Sequence, residues 1–146
     1  MKRMKSLPSC AAVLRIFLVL FACAGCKDNE ASPTSVVNNA PVIVSVTNAF
    51  TYVMMGDKYT TSANYDLNFT TDSLVYSLVV GNFGAGNATF VVADPSGNTI
   101  IRDSVFTSKV NTLVQSGKGI PKRCTLGFQN FTGSISLSLA ANQARH

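Results

Sequence analysis

Residues able to do chemistry are few in this 146-residue chain, and their spacing argues against most reactions. The one histidine is His146, at the chain terminus, where nothing would hold an imidazole beside a serine or a thiol. Cys124 alternates with Leu126 and Phe128 and reads as a small core hydrophobe, not a nucleophile. Beyond residue 40 the acids are five aspartates, Asp57, Asp66, Asp72, Asp94 and Asp103, with no glutamate. Glycoside hydrolysis needs two carboxyls across one cleft. Asp57 and Asp94 fall in turns, and the other three at strand ends or solvent-facing positions. Nothing in the sequence makes two of them neighbours. A hydrolase with a cryptic aspartate pair is therefore the alternative reading, and a non-enzyme the leading one.

Metals and phosphates fare no better. Asp94-x-Ser96-x-Asn98 has the spacing of hard oxygen ligands. A calcium loop, however, wants glycine at its sixth place, where Thr99 stands, and an acid at its twelfth, where Val105 stands. There is no histidine or cysteine pair for zinc. Ser116-Gly117-Lys118-Gly119 lacks the first glycine of a phosphate loop, with Thr112 in its place. No cofactor and no metal are expected.

Binding chemistry is better represented. Lys118, Lys122 and Arg123 cluster beside Pro121 and suit an anionic group such as an acidic glycan or a lipid headgroup. Trp is absent, while Tyr52, Tyr65 and Tyr76 align with Phe and Leu on apparent core faces. That leaves Tyr59, among Lys58, Thr60 and Thr61, as the exposed candidate, with Phe83, between Gly81-Asn82 and Gly84, and Phe131, after Asn130, as loop aromatics that either form an apolar contact patch or plug the ends of the sandwich. The candidate contacts are thus Tyr59, Phe83, Lys118, Lys122 and Arg123. Nucleic acid is excluded as a partner. The formal charge of +5 is concentrated in the first fifteen residues, and past residue 25 eight bases face all seven acids, a balance of +1.

The elements that carry these residues follow an N-terminal leader. Met1 to Arg15 is basic without an acid, and Ile16 to Ala24 is an unbroken apolar run of nine residues. That is far short of the roughly 20 residues of a spanning helix, and it fits the core of a secretory signal peptide. Cys23-Ala24-Gly25-Cys26 resembles the lipobox of bacterial lipoproteins, with Cys23 where leucine is usual. The resemblance implies cleavage before Cys26 and diacylation of its sulfur, so that the protein is held to a membrane by its N-terminal lipid. Lys27 in place of an aspartate, followed by Asp28 and Glu30, is similar to the signal that carries some Gram-negative lipoproteins to the outer face of the outer membrane. With Cys10 and Cys23 removed and Cys26 lipidated, Cys124 alone remains and no internal disulfide is expected.

Residues 1–25 are then the signal peptide, 26–40 a polar tether, and 41–146 the domain. Apolar residues alternate at period two in nine runs: Val42–Val46, Phe50–Met54, Tyr65–Phe69, Leu74–Val80, Ala88–Val92, Ile100–Phe106, Val110–Val114, Cys124–Phe128 and Ile135–Leu139. Turn signals separate them, among them Gly56-Asp57, Gly81 to Asn87, Asp94 to Asn98, Gly117 to Gly119 and Thr132-Gly133. About eight or nine strands predict an all-β, two-sheet antiparallel sandwich. Phe90 to Ile101 and Leu126 to Leu139 resemble pieces of jelly-roll and immunoglobulin-like accessory modules of secreted bacterial proteins. The expected function is that of an envelope lipoprotein acting as a binding or structural surface module, with a glycan or envelope protein as partner.

Overall fold

A computed structural model of the protein describes residues 38–142; the leader, Cys26, most of the tether and His146 lie outside them. The described residues form six strands: β1 (Val42–Val46), β2 (Ala49–Asp66), β3 (Leu74–Ala93), β4 (Thr99–Val105), β5 (Lys109–Gln115) and β6 (Arg123–Ala141). All pairings are antiparallel, in the order β1-β2-β6-β3-β4, with β5 also on β3.

Three of these strands are too long to be straight. At ~3.3 Å per residue a strand the length of β2 would stretch to about 60 Å. Yet Phe50 and Tyr65, near its two ends, have ring centroids 5.6 Å apart. The strand therefore doubles back, and β3 and β6 do so beside it. Register shifts fall between Gly56, Tyr59 and Thr61 in β2, and between Gly81, Ala85 and Asn87 in β3. Each bend puts one non-glycine residue in the left-handed region: Lys58 (φ 51°), Asn82 (φ 50°) and Asn130 (φ 47°). Asparagine tolerates that region through local hydrogen bonds, whereas lysine does so at a cost. Gly86, at φ 81°, completes the bend of β3; a Cβ there would lie 2.3 Å from the Asn130 carbonyl oxygen.

Folded over, one sheet makes two layers. The first holds β1, the start of β2, the end of β6, the start of β3, and β5. The second holds the end of β2, the start of β6, the end of β3, and β4. Inward-pointing residues of both layers form the core, with Tyr52, Tyr76, Phe90, Leu126, Phe128 and Leu137 at its centre. Tyr52 from the first layer stacks on Phe128 from the second at 5.9 Å.

The all-β antiparallel reading stands; the strand count and the two separate sheets are corrected. Nine alternating runs become six strands because three pairs of runs fuse: Phe50–Met54 with Tyr65, Leu74–Val80 with Ala88–Val92, and Cys124–Phe128 with Ile135–Leu139. Gly56-Asp57, Gly81 to Asn87 and Thr132-Gly133 carry turn residues, but here they bend a strand without ending its hydrogen-bond ladder. Leu67 and Phe69 are buried beyond the end of β2.

Asp103 clips β5 and β4 to the core. Its carboxylate accepts from the Tyr76 hydroxyl at 2.9 Å, from Asn111 Nδ2 at 2.9 Å, from the Ser104 amide at 2.7 Å and from the Lys109 ammonium. The Asp103–Lys109 pair is the one ion pair among the described residues.

Candidate functional site

The bends divide the molecule into two ends. At the open end, where chain segments enter and leave the sheet, a cleft of about 510 Å³ is lined by three segments: Asp66-Leu67, Ala93 to Gly97, and Lys122-Arg123. The topology explains this meeting. β6 runs between β2 and β3, so Arg123 has Asp66 as its partner on one side and Ala93 on the other.

Backbone bonds hold the cleft rigid. The Leu67 amide donates to the Lys122 carbonyl at 2.9 Å, and the Lys122 amide donates to the Ala93 carbonyl at 2.9 Å. The β3–β4 hairpin turns at Asp94-Pro95-Ser96-Gly97-Asn98, with Gly97 at φ 84° as its type of turn requires. Asp94 Oδ1 accepts from the Ser96 and Asn98 amides at 2.9 and 2.8 Å, and its Oδ2 from Asn98 Nδ2 at 2.9 Å. The Asn98 side chain foremost, helped by the amides of Asn98, Ser96 and Gly97, outweighs desolvation and holds the Asp94 carboxyl below its usual range. The oxygens that the sequence offers to a cation are therefore spent on the turn.

Lys122 is also committed, its ammonium donating to the Phe69 carbonyl at 3.0 Å. No hydrogen bond or ion pair engages the side chains of Asp66 and Arg123 among the described residues. They are the groups left to a ligand.

A second depression, about 400 Å³, lies further along the same outer face, over Gly127 and between Ser62 and Thr89. Gly127 pairs with Ser62 on one side and Thr89 on the other, two residue pairs from the Arg123 row. With no side chain at the centre, the face is hollow there. Thr125, between the two depressions, donates its hydroxyl to Asn64 Oδ1 at 2.7 Å. Hydroxyls and amides (Ser62, Asn64, Thr89, Thr125) share this face with three charges, Asp66, Arg123 and Arg102, and with Val91 and Ala93 between them; the polar groups are ones a polyhydroxy ligand can hydrogen-bond.

No protein-family model and no curated protein matches the chain. Among solved structures it is similar to a subunit of the disulfide-linked pili of Bacillus endospore appendages, at 17% identity over 74% of this chain and 95% of that one, with a TM-score of 0.43. It is also similar to the module CsCBM6-3 of Clostridium stercorarium, solved with cellobiose, at 15% identity over 74% and 86% of the two chains, with a TM-score of 0.34. A family 29 carbohydrate-binding module matches at 11% identity over 69% and 70%, with a TM-score of 0.36.

The sequence candidates separate. Tyr59 and Phe83 sit at the bends, at ~3.3 Å per residue about 23 Å along β2 from Asp66 and about 33 Å along β3 from Ala93. Tyr59 packs on Phe128 at 5.4 Å and Phe83 on Phe131 at 6.0 Å, so both rings close the bent end of the core. Lys118 is exposed in the loop before β6 and does not line the cleft. Lys122 and Arg123 do line it. Asp66 and Asp94, which nothing in the sequence connects, meet at one cleft. Cys124 lies beneath the face, fully buried, where desolvation pushes its thiol up to about 12 and removes it as a nucleophile. Cys26 lies outside the described residues.

Proposed function

We propose that this chain is a non-enzymatic lipoprotein, anchored through Cys26 in the outer membrane of a Gram-negative envelope, whose β-domain binds a glycan on the outer face of its second layer. The observation that carries the binding reading is the cleft itself. Asp66 and Arg123 present uncommitted charged groups on a hydrogen-bonded frame, beside a hollow over Gly127. A carboxylate and a guanidinium together can bracket vicinal hydroxyls, accepting from one and donating to the next.

The hydrolase alternative gains a shared cleft for Asp66 and Asp94, but Asp94 is ill suited to serve as its acid. Protonating a leaving group needs a carboxyl raised toward neutrality. Asp94 is shifted the opposite way, and both its oxygens are occupied. The membrane reading rests on the leader sequence: two or more acyl chains give a stable anchor where one gives a marginal one.

Two measurements test this. Mass spectrometry of membrane-extracted protein should find an acylated N-terminal peptide starting at Cys26; a soluble form cut elsewhere would remove the anchor. A screen of neutral and acidic glycans should find a ligand whose affinity falls at least tenfold in Arg123→Ala, at unchanged melting temperature. A glycan that binds that variant as well as it binds the parent would remove the cleft from the account.

A further inference from the structure

Apart from the cleft, the first layer has an edge that the described residues leave open. β1 pairs with β2 from Val42↔Val53 to Val46↔Ala49, and no described strand pairs with its other side. Its outward residues are uncovered, with Val42 64%, Val44 52% and Val46 54% exposed. The inward-pointing Ile43 is still 39% exposed, because β1 overhangs the second layer. Natural edge strands are blunted by a charge, a proline or a bulge. Val-Ile-Val-Ser-Val has none of these across its five residues, and its pairing with β2 is regular.

We infer that β1 pairs with β1 of a second copy of this chain, antiparallel, about a two-fold axis at Val44. The sequence of the strand selects this occupant. An antiparallel pair about a two-fold axis sets each residue opposite the one that mirrors it across the centre. Centred on Val44, that places Val44 on Val44, Val42 on Val46 and Ile43 on Ser45. Every outward position is then a valine facing a valine, the β-branched cross-strand pair that stabilises sheets. Hydrogen-bonding groups of a strand point outward at alternate residues, so a partner must match in parity. This centre does so and pairs the strand's whole length. No charge is brought opposite a like charge.

The consequence is a continuous layer with five strands from each copy, ordered β5-β3-β6-β2-β1 and then its mirror. The clefts, on the second layers, stay open. The dimer presents two of them on one rigid sheet, so a polymeric ligand meets both at once.

The register is tested in the full chain by cysteine pairing. Directly opposed residues in an antiparallel pair approach at ~4.5–5.5 Å between Cα atoms, within disulfide reach. Under mild oxidation Val44→Cys should form a covalent dimer well above the background of the parent chain. Ser45→Cys alone should stay near background, and Ile43→Cys combined with Ser45→Cys should cross-link. Sedimentation across a concentration series should show a weak dimer that Val44→Lys, which sets two ammonium groups opposite each other, converts to monomer at an unchanged melting temperature. Equal cross-linking at residues 44 and 45, a cross-link of Val44→Cys to a cysteine placed on β5, or a parent chain monomeric at every concentration would each overturn the inference.

Discussion

Across the outer face of the first layer one row of the sheet runs Val42, Val53, Ser136, Val79, Val110, whereas a row across the second runs Asp66, Arg123, Ala93. The same three long strands build both faces, and both follow the same period-two alternation. Alternation separates inside from outside. It does not separate one outside from the other. The bends do that, by assigning the first half of each long strand to one face and the second half to the other. A face of valine, serine and threonine suits contact with another protein surface, and a face of amides and charges suits a hydrated ligand.

The strongest way to break this contrast is to break a bend. Gly86→Ala forces a Cβ into the Asn130 carbonyl at a positive φ. It should cost about 3 kcal/mol or more, or prevent folding, as read by urea denaturation. Next comes the clip that holds β5 at the rim of the first layer. Asp103→Ala strands the Tyr76 hydroxyl and the Lys109 ammonium and should cost about 2 kcal/mol. Burial would raise the Asp103 carboxyl, but hydrogen bonds from Lys109, Asn111 and Tyr76, with the Lys109 charge, outweigh it and hold the group below its usual range. A depressed folded value gives stability that is complete above the unfolded pKa of about 3.9 and is lost as pH falls through the folded one. Parent and variant should therefore converge in stability below about pH 4; a gap that stays constant with pH would show that the carboxylate charge is irrelevant to the clip.

Beneath the second layer, Cys124→Ser buries a hydroxyl in an apolar site and should cost about 1–3 kcal/mol with the fold retained. A loss of cooperative unfolding there would mean that the core beneath this layer is less tolerant than its packing implies. The smallest effect has the opposite sign. Lys58→Gly relieves a left-handed lysine at the bend of β2 and should raise stability by about 0.5–1 kcal/mol. A variant less stable than its parent would assign that bend to the Lys58 side chain instead of the backbone.

The alternating runs, the β3–β4 hairpin, the burial of Cys124 and the place of Lys122 and Arg123 beside a loop were all legible in the sequence. The fusion of nine runs into six strands was not. A residue at positive φ in a bulge and one in a turn draw on the same Gly and Asn chemistry, and only pairing on both sides tells them apart. Tyr59 and Phe83 looked like loop aromatics for the same reason: each stands beside turn residues that proved to be a bend, so its ring packs inward. The juxtaposition of Asp66, Asp94 and Arg123 was illegible because it depends on β6 lying between β2 and β3, an order that no local pattern encodes.

That order also bears on when the domain can form. β2 and β3 never pair with each other; both wait for β6, the last of the six strands to leave a ribosome or a translocation pore. Until then the chain can make only local pairings, the β1–β2 and β3–β4 hairpins and β5 on the start of β3. Such hairpins are marginal in water on their own. Insertion of β6 supplies two ladders at once, through contacts distant in sequence, so folding should be slow, late and cooperative. A polypeptide built this way stays threadable through a narrow pore for nearly the whole of its synthesis and locks only when its final strand arrives.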